Sequence, residues 1–136
     1  MPKVLIVEDD FMIADCLEEI LLEGGYEVCG IAGNVADALA LAELEHPDFG
    51  IIDIHLGNGR SGTEVAAAIR RRGPFGVLYA TGNPHHPALD LAEGEGCISK
   101  PYTAHAILAA LVVVSDAMAR MALPRALPKG FRLLGV

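Results

Sequence analysis

Residues 4–10 read Val-Leu-Ile-Val-Glu-Asp-Asp, a short branched apolar run that stops on three consecutive acids. Unbroken apolar runs of this length suit a strand covered on both faces, as in a parallel sheet. Phe49 to Ile54 repeats that character around a single aspartate, Asp53. Between the two runs, Met12, Ile13, Cys16, Leu17, Ile20 and Leu21 recur at helical spacing until Gly24-Gly25 stops them. Tyr26 to Ala32 reads as a second strand. Asn34 is placed to cap a helix carrying Ala38, Leu39, Leu41, Ala42 and Leu44, which Pro47 ends. Further on, the pattern predicts a helix over Thr63 to Arg72, a strand over Gly76 to Ala80 and a loop from Gly82 to Pro87. A short helix near Ala88 to Glu93 follows, then a strand over Cys97 to Ser99 and a long helix from Thr103 to about Met121.

Strands alternating with helices imply right-handed βαβ units and a parallel sheet with helices on both faces. Reactive groups in such sheets lie beyond the carboxyl ends of the strands. Reading those ends in order gives Glu8, Asp9 and Asp10, then Asp53, then Thr81, then Lys100. Clustered carboxylates repel one another, so they persist only beside a cation or a lysine. Mg²⁺ is the natural cation, since it prefers oxygen ligands and commonly combines one or two carboxylates with a phosphate oxygen. Asp9 and Asp53 are its candidate direct ligands, with Glu8 holding a metal-bound water. The plainer alternative, an acidic helix start at Glu8-Asp9-Asp10 favoured by the helix dipole, is outweighed by Asp53 and Lys100.

The chain has 136 residues, the size of one domain, and no internal repeat. Hydrophobic residues make up 52%, yet no apolar run approaches the roughly 20 residues that span a bilayer. With no membrane span and a start that runs straight into a strand, a cytoplasmic location is expected. Cys16, Cys29 and Cys97 show no CxxC pairing and sit in apolar runs, which fits reduced thiols. Residues 1–116 carry all 18 acids against six of the ten basic residues, a balance of −12. Such a body disfavours DNA, whose binding relies on Lys and Arg displacing counterions.

The stretches VLIVEDD, IIDIHL, YATG and SKPY, in that order and spacing, resemble the receiver domains of bacterial two-component response regulators. The likeness covers about residues 1–120. It implies a flavodoxin-like (CheY-like) α/β fold with a five-stranded parallel sheet in order 2-1-3-4-5. It also implies Asp53 as phosphoacceptor, and Mg²⁺, or Mn²⁺ in its place, held by Glu8, Asp9, Asp53 and the backbone carbonyl of His55. By the same likeness Thr81 is the switch hydroxyl, Gly82 leaves room for the phosphoryl group, and Lys100 binds it, with Lys100-Pro101 in the cis form. The side chains of His55 and Asn83 stand at the two positions that tune hydrolysis. The implied donor is a histidine kinase or a histidine phosphotransfer protein, and the output is contact with a downstream protein.

Three features depart from the pattern. The position three before the lysine, usually aromatic, is Cys97. Pro74-Phe75 with Tyr79-Ala80-Thr81-Gly82 is similar to a PFxFATG-type subfamily of single-domain receivers known from alphaproteobacteria. The loop Gly57 to Gly62 looks one residue longer than in many receivers, with Gly57 at the usual proline position. A flexible loop over the site is expected there.

Three other stretches admit more than one reading. His85-His86 lies between Pro84 and Pro87 in an expected exposed loop, with no third ligand in register for a metal. Ile107, Leu108, Leu111, Val112, Val113, Val114, Ala117 and Met118 wrap beyond one face of the last helix, so a homodimer, a target or the chain's own tail is expected to cover it. The expected division is a receiver over residues 1–121 and a basic, apolar tail over 122–136 without a separate effector domain. That tail folds back over the last helix or stays mobile. Two rival functions remain open: a phosphatase or phosphotransferase with an aspartyl-phosphate intermediate, and a phosphorylation-independent interaction domain. Against the first, His55 stands where such enzymes usually carry a second aspartate.

Overall fold

The computed structural model describes residues 1–56, 61–120 and 126–134. Along the chain run β1 (Lys3–Val7), α1 (Phe11–Glu23), β2 (Glu27–Ala32), α2 (Val35–Glu45), β3 (Phe49–Asp53) and α3 (Gly62–Arg70). They are followed by β4 (Gly76–Thr81), β5 (Gly96–Ser99), α4 (Ala104–Met118) and β6 (Phe131–Leu133). Polar caps start each helix: Asp10, Asn34, Ser61 and Thr103 each accept a backbone N–H of the first turn. Of the three acids after β1, Asp10 is thus the helix cap, which leaves Glu8 and Asp9 for the strand end.

The sheet has the order β2-β1-β3-β4-β5-β6, with the first five strands parallel as expected and β6 antiparallel to β5. Alternate strand residues feed two cores. Leu5, Val7, Ile52, Val77 and Tyr79 face α2 and α3, where Val65 and Ile69 meet them. Val4, Ile6, Ile51, Leu78 and Ile98 face α1 and α4, against Leu17, Leu21, Ile107 and Leu111. Burying both faces is what the unbroken apolar strands require.

Two elements differ from expectation. The short helix near Ala88 to Glu93 is reduced to one 3₁₀ turn, Pro87–Leu89. Leu89 is buried in the core with Ala88 and Ala92 packed at its edge, while Leu91 is 95% exposed, and Gly94 follows before another turn can form. Phe131–Leu133 adds a sixth strand at the sheet edge, so the described part of the tail pairs with β5, while Phe131 packs on the core to which the last helix contributes. That helix absorbs most of its surplus apolar surface internally. Leu108 packs where Gly24 has no side chain and Met118 where Gly76 has none, leaving Val112 as its largely exposed large apolar residue among those described. No helix among the described residues is long and apolar enough to cross a membrane.

Candidate functional site

The parallel register brings the ends of β1, β3, β4 and β5 to one edge of the sheet. Glu8 extends β1 by donating its N–H to the Ala32 carbonyl at 2.9 Å, and its side chain is buried at 5% exposure. Asp53 closes β3, and its Oδ1 accepts the N–H of His55 at 3.0 Å. Gly62, the first residue of α3, lies so close behind that a Cβ there would run into the Asp53 carbonyl and Ile52. From β5, Lys100 Nζ donates to Glu8 Oε1 at 2.5 Å and to Asp53 Oδ2 at 3.1 Å. The Lys100-Pro101 peptide is cis, and the Lys100 N–H is held by the Thr81 carbonyl at 2.8 Å.

Carboxylate oxygens of Glu8, Asp9 and Asp53 lie within 4.8 Å of one another. Burial pushes the Glu8 carboxyl up to about 7, opposed by the Lys100 ammonium and reinforced by Asp53. Burial alone would lower the Lys100 ammonium, but the two facing carboxylates outweigh it and hold it above its ordinary value. Lys100 thus contacts two of the three clustered carboxylates. An all-oxygen donor set with surplus negative charge fits a hard divalent cation such as Mg²⁺.

Other expected site residues sit around this pocket. Thr81 is buried at the end of β4, where its Oγ1 accepts the Asn83 N–H at 3.0 Å and donates toward the Asn83 carbonyl at 3.3 Å. Gly82 borders open space. Asn83 is exposed, and its side chain accepts the His85 N–H at 3.1 Å, within its own loop. The His55 ring is exposed and meets the His86 ring edge-on at 4.9 Å between centroids. Cys97 is wholly buried on β5. Gly57 and its neighbours to residue 60 lie outside the described residues, so the expectation of a lengthened loop falls there.

Glu8, Asp9, Asp53 and Lys100 are thus gathered as expected, whereas the Thr81 hydroxyl and the Asn83 side chain are engaged within their own loop. The sequence reading missed Arg132, whose Nε and Nη2 donate to the Pro84 carbonyl at 3.2 and 2.7 Å in the loop after Thr81. Its one signal was an arginine alternating with apolar residues in Phe131 to Leu133.

A doubly covered parallel sheet with an acidic, lysine-closed pocket at its strand ends defines a flavodoxin-like domain whose site suits phosphoryl chemistry. The response regulator receiver domain family matches residues 4–112, and the chain belongs to that family, which serves two-component signalling. Among curated proteins, it is 42% identical over 80 residues to the transcriptional regulatory protein PdtaR of Mycobacterium tuberculosis. That match covers 57% of this chain but 38% of PdtaR. Among solved structures, the receiver domain of PhyR from Erythrobacter litoralis superposes with a TM-score of 0.76 at 25% identity, over 93% of this chain and 96% of that one. The response regulator TrrA of Thermotoga maritima, solved in complex with Mg²⁺-BeF, gives 0.72 at 28% identity, over 84% of this chain and 99% of its own.

Proposed function

We propose that Asp53 accepts a phosphoryl group and that the domain passes the resulting change to a partner protein. The observation that carries this reading is Lys100 Nζ standing between Glu8 Oε1 and Asp53 Oδ2, three side chains from three strand ends on one point. The donor is a phosphohistidine on a histidine kinase or a histidine phosphotransfer protein. An Asp53 oxygen attacks the phosphorus, the P–N bond breaks as the P–O bond forms, and the imidazole leaves with a proton. Lys100 offsets the charge on one phosphoryl oxygen and Thr81 donates to another. Phosphoryl transfer asks for such positioning and neutralisation more than for covalent chemistry from the protein. Glu8, Asp9, Asp53 and the His55 carbonyl would hold Mg²⁺, or Mn²⁺, which supplies further charge neutralisation when bound. In this reading the side chains of His55 and Asn83, at the two positions that the family likeness gives to hydrolysis tuning, set how readily water reaches the acceptor.

Residues 1–121 are the receiver in this reading, acting in the cytoplasm through protein contacts and not through DNA, in keeping with the acidic body. A homodimer through α4 is not part of it, since that helix buries most of its apolar residues within the chain. The test is incubation with Mg²⁺ and acetyl phosphate or beryllofluoride, comparing the wild type with Asp53→Asn. One adduct on the wild type and none on the variant is expected; equal labelling would overturn the reading.

A further inference from the structure

A relay of contacts leads from Thr81 to the last strand. The Thr81 hydroxyl is bound to the backbone of Asn83. The Asn83 carbonyl also accepts the His86 N–H at 3.1 Å, and the His86 ring rests on His55, two residues past Asp53. Next along the loop, the Pro84 carbonyl accepts both Arg132 Nε and Arg132 Nη2, and the Cys97 thiol at 3.8 Å. Arg132 is the register partner of Cys97, so both side chains leave the same face of the sheet. The thiol is short, which lets the guanidinium reach the loop across it. A guanidinium placing two N–H donors on one oxygen makes a charge-assisted contact, stronger than a neutral hydrogen bond.

Besides this contact, β6 is held by its pairing with β5, by Phe131 against one core and by the adjoining Leu134 in the other. It is a three-residue edge strand. Flanking it, the Ser99 N–H donates to the Gly130 carbonyl and the Leu134 N–H to the Glu95 carbonyl, each at 3.0 Å. The Phe131 ring lies where Gly96 has no side chain. Strands this short depend on whatever side-chain contacts pin them.

We propose that Arg132 is a positioning residue that keeps the Asn83-Pro84 loop in its resting course, and that a phosphoryl group on Asp53 breaks the Arg132–Pro84 contact and loosens β6. This rests on the reading of Asp53 as phosphoacceptor and Thr81 as the hydroxyl that answers it. Thr81 has one hydroxyl proton, which cannot serve the Asn83 carbonyl and a phosphoryl oxygen together. Drawing the hydroxyl inward releases Asn83, and the Pro84 carbonyl moves with its neighbour. Linkage makes the effect reciprocal: what phosphorylation does to the Arg132 contact, loss of that contact does to the acceptance of a phosphoryl mimic.

The experiment uses the full chain with Mg²⁺ and beryllofluoride. Adduct formation on Asp53 is followed by fluorine NMR, and amide exchange of Ser99 and Leu134 reports on β6. Arg132→Met keeps the apolar stem and removes every donor, while Arg132→Lys restores one charged donor group. In the wild type, the adduct is expected to speed exchange at both amides by roughly 5-fold or more. Arg132→Met is expected to exchange fast already without the mimic and to bind it more tightly by a similar factor, with Arg132→Lys in between. An adduct on Asp53 with unchanged exchange at Ser99 and Leu134, or equal affinities for the mimic in the wild type and Arg132→Met, overturns this inference and leaves the phosphoacceptor reading standing. No adduct on the wild type, or an equal one on Asp53→Asn, removes that reading and this inference with it.

Discussion

Glu8 Oε1 and Lys100 Nζ lie 2.5 Å apart although 92 residues separate them in the chain. The contact exists only because the sheet places the ends of β1 and β5 at the same edge, and Asp53 on the strand between shares the ammonium at 3.1 Å. Buried carboxylates without a counter-charge are costly, so this lysine makes the acidic pocket compatible with a folded chain.

Replacing that lysine separates its two duties. Lys100→Met removes the ammonium while keeping the apolar stem, leaving Glu8 and Asp53 facing each other. In metal-free protein at about pH 8, urea unfolding is expected to show a loss of about 1–3 kcal/mol. The deficit should shrink at about pH 6, where Glu8 takes up a proton instead. Labelling by acetyl phosphate is expected to fall by roughly 100-fold, as when an electrostatic donor is lost from other active sites. An unimpaired labelling rate would show that Lys100 serves stability alone.

Glu8 itself sets a pH dependence. Its carboxyl is raised in the folded state from 4.5 to about 7, chiefly by burial. The folded state therefore holds the proton more tightly than the unfolded chain. Glu8's favourable contribution is complete below the unfolded value and is lost as pH rises through about 7. Calorimetry on metal-free protein is expected to show a Tm that falls from about pH 5 to about pH 8, with a shallower fall in Glu8→Gln. Parallel profiles for the two proteins would refute the assignment.

The strand ends were legible because each is a short apolar run stopped by a polar residue, and β1 and β3 need no long-range information to be read that way. Glu8, Asp9, Asp53 and Lys100 followed from the register of such runs. The sixth strand was not legible: Phe131–Leu133 is three residues long, and its reason for pairing is β5's open edge rather than anything local. The same holds for Arg132, whose target in the Pro84 loop lies 48 residues away. The helix expected over Ala88 to Glu93 shortens to the 3₁₀ turn Pro87–Leu89, because Leu91 faces solvent and only Leu89, flanked by Ala88 and Ala92, is buried in the core.

Gly62 offers a test of how closely the acceptor is seated. A Cβ there would run into the Asp53 carbonyl and the Ile52 side chain, and would have to displace backbone. Gly62→Ala adds helix propensity at the start of α3, which would stabilise it slightly were space available. Overpacking is expected to win, with a net loss of about 1–3 kcal/mol on urea unfolding and slower labelling of Asp53. A gain in stability would show that α3 can shift without cost.

Tyr79 tests what replaces a helix between β4 and β5. Its ring is fully buried against the α2 and α3 face, and its hydroxyl donates to the Glu93 carbonyl at 2.6 Å. Burial pushes the phenol above its ordinary range, so it stays a neutral donor throughout the working pH. Glu93 is exposed, so its carbonyl can turn to water once the hydroxyl is gone. Tyr79→Phe is therefore expected to cost only about 1 kcal/mol, whereas Tyr79→Ala, which empties the ring's volume, should cost about 3–5 kcal/mol. Beside it, Glu95 takes a bidentate contact from Arg70 at 3.0 and 3.1 Å and the Val77 N–H at 2.9 Å, a second tether on the same segment. With that tether intact, amide exchange in Tyr79→Phe should quicken at Leu89 and Ala92 while Val77 stays protected. Equal quickening at Val77 would mean that the two tethers act as one unit.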